Sequence, residues 1–154
     1  MKIQRFDQIT NVSRLSKIIF FNFIELQNET DIVFNINDIT STLSSSSLLG
    51  WFLLDDDGKI IGYIVGELKD LTDGRYVYYI SYFYLIKQYR SKGLGNKMIT
   101  MCIEYIKSIN VSYIMLISNI NTNAFKLYQK LGFGYDPIIK INNPNFVVLL
   151  YYTF

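Results

Sequence analysis

Histidine is absent from this sequence, and that absence excludes more chemistry than any other feature of its composition. Without an imidazole the chain has no Ser–His or Cys–His nucleophile pair and no histidine-ligated metal. Cysteine occurs once, at Cys102, which excludes an internal disulfide and a Cys-x-x-Cys site. We therefore expect chemistry by backbone amides, hydroxyls, carboxylates and basic side chains, working with a bound cofactor and without a metal.

Charge and long apolar runs are also scarce. Charged residues make up 18% of the chain and the net charge is +2, which does not indicate a general nucleic-acid-binding protein. No apolar run approaches the roughly 20 residues of a membrane span. No signal-peptide pattern begins the sequence, and a lone cysteine is compatible with a reducing compartment. We expect a cytoplasmic protein, without a nucleic-acid or membrane partner, folded as a single domain over residues 1–154.

Hydrophobic periodicity predicts the element order β-α-α-β-β-β-α-β-α-β-β. The predicted strands are 2–6, 51–54, 59–68, 76–86, 113–117, 133–141 and 146–152, and the predicted helical stretches are 11–26, 35–49, the segment after Gly95, and 121–131. The long, uncharged strand 76–86 is expected near the centre of the sheet. A helix crosses from this strand to the next one, so the fold class is α/β with a mixed sheet.

A glycine-containing basic loop follows the long strand, at 88–98. Gly93 and Gly95 let the backbone turn and approach a ligand closely. The helix start beyond them presents unpaired N–H groups and a positive dipole end, which suits a phosphate. Nearby positive charges come from Lys87, Arg90, Lys92 and Lys97. The pattern favours pyrophosphate binding over an ordinary basic turn, although it matches neither the P-loop nor the complete dinucleotide motif.

Two segments resemble the GNAT superfamily of acetyl-CoA-dependent N-acetyltransferases. Arg90, Gly93 and Gly95 match its [Q/R]-x-x-G-x-[G/A] loop, and residues 121–133 are similar to its second motif, N-x-x-A-x-x-x-Y-x-x-x-G-F. The two motifs occur in the order and with the separation of the family. The resemblance implies a GNAT-like fold, a mixed twisted sheet of about seven strands with about four helices.

The same resemblance implies acetyl-CoA as cofactor. Leu85 corresponds to the strand position whose backbone meets the pantetheine arm, where an N–H group could stabilise the oxyanion. Asn121 corresponds to an asparagine that contacts the cofactor, and it could also serve as a helix N-cap. The backbone N–H groups expected to hold the pyrophosphate are those of Arg90, Ser91, Lys92, Gly93, Leu94, Gly95 and Asn96.

Tyr128 matches the general acid of the family, which protonates the CoA thiolate. If that thiol has a pKa of about 8.5, transfer from a tyrosine of pKa about 10 is uphill by roughly 2 kcal/mol. The general base is less evident, because 76–86 and 112–118 contain no carboxylate. Tyr79 matches a strand tyrosine of family members that acetylate protein N-termini. The base candidates are Tyr79 or Ser81 acting through water, Glu67, and Asp73.

A weak base favours an acceptor that brings a neutral amine. At pH 7 an α-amine of pKa about 7.8 is neutral roughly 14% of the time, against about 0.04% for a lysine. We therefore expect a peptide α-amine or a small-molecule amine ahead of protein lysine. The alternatives are a non-catalytic acyl-CoA-binding regulatory module and a nucleotide-binding protein outside the family. The acceptor groove is expected from 34–47, the long strand and the final hairpin, in a monomer or a homodimer.

Overall fold

The structure is a computed structural model that describes residues 1–27 and 34–154. Within these residues the elements follow the order predicted from hydrophobic periodicity. The strands are β1 (Lys2–Phe6), β2 (Leu48–Leu54), β3 (Ile60–Asp70), β4 (Tyr76–Leu85), β5 (Tyr113–Asn119), β6 (Gly134–Tyr135) and β7 (Phe146–Tyr152). The helices are α1 (Val12–Gln27), α2 (Ile36–Leu43), α3 (Leu94–Ser108) and α4 (Asn123–Leu131).

The described strands form one mixed sheet in the order β1-β2-β3-β4-β5-β7-β6. Only the β4–β5 pair is parallel, because α3 carries the chain back across the sheet between them. The expectation of a mixed sheet of about seven strands with about four helices is confirmed. β7 pairs with β5 along its whole length, and β6 pairs with it only at Leu149 and Leu150.

The β4–β5 ladder is short, and this opens the sheet. The two strands pair only from Val77 with Tyr113 to Ile80 with Leu116. At that point the β3–β4 register shifts, which leaves Ser81 as the extra residue of a bulge. A bulge bends its strand, so β4 turns away from β5 here. Beyond it lies an opening between 81–85 of β4 and 117–119 of β5, called the gap below.

The sheet has two covered faces. On the first, the α3–α4 face, the core includes Tyr78, Met98, Cys102 and Phe125, and Cys102 is buried as predicted. The second, the α1–α2 face, packs strand side chains such as Tyr63 and Val65 against Ile19 of α1 and Ile39 of α2. Because side chains alternate along a strand, β4 sends Tyr78 to the first face and Tyr79 to the second.

Several predicted boundaries are wrong. The second helix ends at Leu43 instead of continuing to residue 49, because Leu48 and Leu49 pair with β3. The predicted strand 133–141 shrinks to Gly134–Tyr135. Its continuation turns at Asp136, whose carboxylate bonds the Arg75 guanidinium instead of extending a ladder.

Two helix starts also differ from the prediction. α3 begins at Leu94, so Gly95 lies within its first turn and does not precede the helix. α4 begins at Asn123 rather than residue 121, because the Thr122 side chain accepts the Phe125 N–H and caps the helix.

Candidate active site

The gap is lined on one side by backbone polar groups of β4. The Ile86 N–H donates to the Ile61 carbonyl of β3 at 2.9 Å. Backbone N–H and C=O groups alternate in direction along a strand. Those of Tyr84 and Tyr82 therefore also point to β3, while those of Leu85 and Phe83 point to the gap. The structure therefore turns the Leu85 N–H to the gap, while the contact of Leu85 with a cofactor stays a prediction. It adds Phe83, which sequence reasoning missed because the register depends on the bulge.

Arg90 closes the far end of this strand. Its Nε donates to the Leu85 carbonyl at 2.7 Å, and its guanidinium lies 5.3 Å from the centre of the Tyr84 ring. The side chain is therefore held against β4. The Arg90 N–H already donates to the Lys87 carbonyl at 3.1 Å, so the predicted phosphate cradle is left with the N–H groups from Ser91 onward. Phe83 therefore turns both its N–H and its C=O to the gap. Leu85 adds only its N–H, because its carbonyl accepts from Arg90.

The start of α3 lies at the same end of the gap. Gly93 is the N-cap with φ +79°, a conformation that favours glycine, and it has no side chain to cover the helix end. The first bond along the helix is from the Lys97 N–H to the Gly93 carbonyl, so the N–H groups of Leu94, Gly95 and Asn96 have no partner within the helix.

Gly95 brings this helix start close to β4. A Cβ added there would lie 3.4 Å from Phe83 Cζ and 3.5 Å from Leu127 Cδ2. The N–H donors and the strand groups that face the gap are thus adjacent, while Ser91 and Lys92 lie exposed on the loop before them. These residues fit the pyrophosphate and the pantetheine arm of a CoA ester, since both need donors along a narrow track.

Tyr128 stands on the α3–α4 side of the gap. Its side chain is 6% exposed, and its ring packs against Phe83 and Phe133 at centroid distances of 6.3 and 5.6 Å. Burial raises the pKa of the Tyr128 hydroxyl, which keeps it protonated at neutral pH. No buried side-chain N or O atom of the described residues lacks a hydrogen-bond partner. The Tyr128 hydroxyl makes no hydrogen bond to the described residues. Because it is not among the buried atoms without a partner, it keeps some contact with solvent.

Asn121 lies in the turn between β5 and α4 and is exposed. Its Nδ2 is 3.4 Å from Asn145 Oδ1. The expectation that it could cap α4 is wrong, because Thr122 holds that position. Its side chain is thus available beside the gap, and its contact with a cofactor stays a prediction.

The base candidates lie on the opposite face. Glu67 of β3 and Tyr79 of β4 are direct cross-strand partners, so their side chains share the α1–α2 face. Lys69 Nζ lies 4.0 Å from Glu67 Oε1 and 4.8 Å from the centre of the Tyr79 ring. Burial raises the pKa of Tyr79, so its phenol stays protonated at neutral pH and cannot itself remove a proton there. Glu67 is the better base of the two.

Tyr82 joins these residues, and the sequence did not indicate it. Burial and then the neighbouring Asp38 carboxylate of α2 raise the pKa of Tyr82 to about 12, with smaller contributions from Tyr79 and Glu67. The negative charges of two carboxylates from different elements therefore both act on this phenol at the start of the gap. No pattern in the sequence joins residues 38, 67 and 82, so only the fold brings them together.

The remaining candidates are less suited to act as the base. Asp73 lies in the β3–β4 turn, where Arg75 Nη2 is 2.8 Å from its Oδ2. Hydrogen bonds from Arg75 lower the pKa of Asp73, which weakens it as a base. Ser81 occupies the bulge at the start of the gap and is half-buried, so it could hold a water molecule there.

The arrangement puts a proton donor and a carboxylate on opposite sides of one opening. Tyr128 reaches the gap from the α3–α4 face, and Glu67 lies on the α1–α2 face. Across the described ranges, no group of three or more acidic or cysteine side chains could hold a metal ion. In the same part of the chain, no helix is long and apolar enough to cross a membrane.

Comparison with known proteins identifies relatives in sequence. A model of the acetyltransferase (GNAT) family matches residues 14–133. A probable spermine N(1)-acetyltransferase of Bacillus subtilis subsp. natto is 27% identical over 100 residues, 60% of this chain and 64% of that protein. The spermine/spermidine N(1)-acetyltransferase of Bacillus subtilis strain 168 is 26% identical over the same shares. The match thus spans less than two thirds of these relatives.

Solved structures share the fold over almost the whole chain. The ribosomal-protein-S18-alanine N-acetyltransferase of Escherichia coli has a TM-score of 0.73 at 15% identity, over 99% of this chain and 94% of that one. Arabidopsis thaliana NAA60, solved in complex with acetyl-CoA, has a TM-score of 0.68 at 16% identity, over 98% of both chains. At such identities the likeness shows the fold alone.

Proposed function

The chain belongs to the acetyltransferase (GNAT) family, and from that premise we propose that it transfers the acetyl group of acetyl-CoA directly to a primary amine. The acceptor we propose is a peptide α-amine or a small-molecule amine. The observation that carries the proposal is the gap at Ser81, which Tyr128 reaches from one face while Glu67 and Tyr79 lie on the other. A thioester held between the two faces would have the Tyr128 hydroxyl as a hydrogen-bond donor beside its sulfur. Glu67 would lie on the side of the attacking amine, where it could accept a proton.

The cofactor supplies an activated acetyl thioester, and the chain supplies its binding track. The N–H groups at the start of α3 and in the preceding loop donate to the pyrophosphate. The Phe83 and Leu85 N–H groups face the gap, where they can donate to the acyl oxygen as negative charge develops on it. Removing one such donor typically costs about 10²–10³ in kcat.

Tyr128 acts on the leaving sulfur. Because burial raises the pKa of Tyr128, complete proton transfer costs more than the roughly 2 kcal/mol that the reference pKa values imply. A hydrogen bond that strengthens as charge develops on the sulfur avoids most of that cost. Tyr128 therefore stabilises the departing thiolate chiefly as a hydrogen-bond donor.

The acceptor amine meets a modest base. Glu67 is 17% exposed, and its Oε1 lies 4.0 Å from the Lys69 ammonium. An acceptor amine that is partly neutral before it binds depends less on this carboxylate. An α-amine is neutral about 300 times more often than a lysine side chain at pH 7, by the reference pKa values. This supports a peptide α-amine over an internal lysine.

A polyamine is a second candidate within the small-amine class. The charges of Asp38 and Glu67 both act on Tyr82, and a second ammonium group of the acceptor could pair with one of these carboxylates while the reacting amine enters the gap. The curated relatives named above act on spermine or spermidine, which supports the same candidate.

The test is thiol release from acetyl-CoA with matched acceptors. One peptide has a free α-amine and no lysine, and its partner has a blocked α-amine and one lysine. Spermidine and an amino sugar complete the set, and calorimetry measures CoA binding separately. We expect turnover with the α-amine peptide or a small amine. Faster turnover of the lysine peptide would contradict the acceptor class, and CoA binding without any turnover would favour the regulatory module.

A further inference from the structure

An ion pair with little solvent contact joins the start of β4 to the segment after β6. Two nitrogens of the Arg75 guanidinium bond the two carboxylate oxygens of Asp136, with Nη2 at 3.1 Å from Oδ2. The Asp136 side chain is fully buried and that of Arg75 is 12% exposed. The same guanidinium also bonds Asp73 in the neighbouring turn. A paired fork of this kind fixes orientation as well as distance.

Asp136 organises the chain that follows it. Its Oδ2 accepts the Ile139 N–H at 2.7 Å, and its own N–H donates to the Val148 carbonyl of β7 at 2.8 Å. The Lys140 ammonium donates to the Asp136 carbonyl at 3.1 Å. Residues 136–145, called the 136–145 segment below, belong to no strand or helix. These bonds therefore fix where the segment begins.

The 136–145 segment crosses the α1–α2 side of the sheet towards the gap. Ile141 packs on the cluster of Val77, Met115 and Val148, which Tyr79 also joins. At its other end, the Asn145 carbonyl accepts the Ile120 N–H at 3.0 Å beside the end of β5. α2 lies on the other side of Tyr79 and Glu67, with Asp38 near Tyr82.

Two of the described elements therefore flank the gap on its α1–α2 side. α3 and α4 cover the opposite face, where the predicted cofactor track also lies. On the α1–α2 side, Ile141 of the 136–145 segment packs on the cluster that Tyr79 joins. An acceptor that enters on this side would pass Ile141, and the bonds of Asp136 fix where the segment that carries Ile141 begins.

We propose that the Arg75–Asp136 ion pair is a positioning device that holds the 136–145 segment as one wall of the acceptor site and so sets acceptor affinity. Neither residue touches the reacting atoms. This inference rests on the proposed acetyltransferase function, because it assigns the wall to the acceptor of that reaction.

The test compares Asp136→Asn with Asp57→Asn. Asp136→Asn keeps the shape of the side chain and removes its charge, while Asp57→Asn removes an exposed carboxylate of the β2–β3 turn, away from the segment. We expect Asp136→Asn to raise the acceptor KM by about tenfold to a hundredfold, because small misplacements near a reacting group have effects of that size. The KM for acetyl-CoA should stay unchanged, and Asp57→Asn should change neither constant.

A double-variant cycle separates positioning from general destabilisation. If the ion pair acts through the position of Ile141, then Ile141→Ala added to Asp136→Asn should raise the acceptor KM no further. Amide exchange at Ile139 should also be faster in Asp136→Asn. If Asp136→Asn does not fold, Arg75→Lys keeps one charge contact, loses the fork, and should show the same separation of the two KM values.

The failures of the two proposals differ. A wild-type protein that turns over no amine would overturn the proposed function and the acceptor wall together. A wild-type enzyme whose acceptor KM is unchanged by Asp136→Asn, or whose two KM values rise together, would overturn the positioning role alone. Additive effects of Ile141→Ala and Asp136→Asn would also contradict it.

Discussion

The two faces of the sheet meet at one gap but are built from different groups. On the α3–α4 face, the proposed cofactor track consists of backbone N–H groups at a helix start and along β4, exposed by Gly93 and by the bulge at Ser81. On the α1–α2 face, the proposed acceptor site consists of side chains such as Glu67, Tyr79 and Tyr82. A backbone track needs glycines at fixed spacing, whereas a side-chain site can be assembled from many sequences.

This difference implies different sensitivities to substitution. A change on the α3–α4 face should alter cofactor affinity or the chemical step for every acceptor. A change on the α1–α2 face should alter the acceptor kinetics and leave the cofactor constants unchanged. The predictions below test that separation.

Tyr128→Phe should have the largest effect. Removing the hydroxyl eliminates the hydrogen-bond donor to the leaving sulfur, and losing one donor that stabilises developing charge costs about 10²–10³ in kcat. Because the Tyr128 ring supplies the packing against Phe83, we expect kcat to fall by at least about a hundredfold with binding of acetyl-CoA unchanged. Tyr135→Phe, at a side chain that is 59% exposed, is the control. Equal rates for the two variants would show that the acid assignment is wrong.

Glu67→Gln should have the next largest effect, confined to the acceptor. The amide keeps the shape of the side chain and cannot take a proton, so kcat/KM for the acceptor should fall by about tenfold to a hundredfold. The loss should shrink as the assay pH rises, because more of the amine is then neutral before it binds. Glu104→Gln, on the exposed surface of α3, is the matched control. A loss independent of pH would contradict the base role.

More of the α3–α4 face than of the α1–α2 face could be predicted from the sequence. The order of the elements and the loop at Arg90, Gly93 and Gly95 could be read because periodicity and glycine spacing are local. The bulge at Ser81 and the orientation of Phe83 could not, since a register shift depends on the partner strand. The role of the Arg90 side chain was also hidden, because its carbonyl partner depends on where β4 ends.

The α1–α2 face was harder still. Glu67 and Tyr79 were candidates, yet their pairing follows from a register that no motif encodes. The Arg75–Asp136 pair joins residues 61 positions apart. The apolar residues after Tyr135 predict that the strand continues. The turn at Asp136 could not be predicted, because a buried carboxylate that turns the chain has no local sequence signal.

Gly93→Ala should have a smaller effect, on the cofactor alone. Gly93 has φ +79° and no atom within 4 Å of an added Cβ. The free-energy cost of the substitution therefore comes from the backbone conformation and not from a steric clash. A left-handed residue with a Cβ costs about 1–2 kcal/mol. If the loop relaxes to avoid that strain, acetyl-CoA affinity should fall by about tenfold, which corresponds to about 1.4 kcal/mol.

Gly58→Ala is the control for this variant, and calorimetry with acetyl-CoA is the measurement. Gly58 has the same φ of +79° and equally open surroundings, but it lies in the β2–β3 turn. Gly58→Ala should therefore lower the free energy of unfolding by a similar amount without changing cofactor affinity. An equal loss of affinity in both variants would mean that the α3 helix start does not hold the cofactor.

The smallest expected effect is the pH dependence of the Asp136 contribution to stability. Hydrogen bonds from Arg75 lower the pKa of Asp136 in the folded protein, so its stabilising contribution is present above the unfolded pKa of about 3.9 and is lost as pH falls through the lower folded value. Arg75 keeps Asp73 when Asp136 is replaced, so Asp136→Asn should reduce the free energy of unfolding at pH 7 by only about 1–2 kcal/mol.

Urea unfolding of wild type and Asp136→Asn from pH 7 to pH 2 measures this contribution. The difference between the two should be constant down to about pH 5 and should shrink below about pH 4, where the unfolded carboxyl begins to bind its proton. Acid should therefore weaken the acceptor wall, which charged side chains hold, before it affects the cofactor track, which backbone groups form. A stability difference that is the same at pH 7 and pH 2 would mean that shape, and not charge, fixes the 136–145 segment.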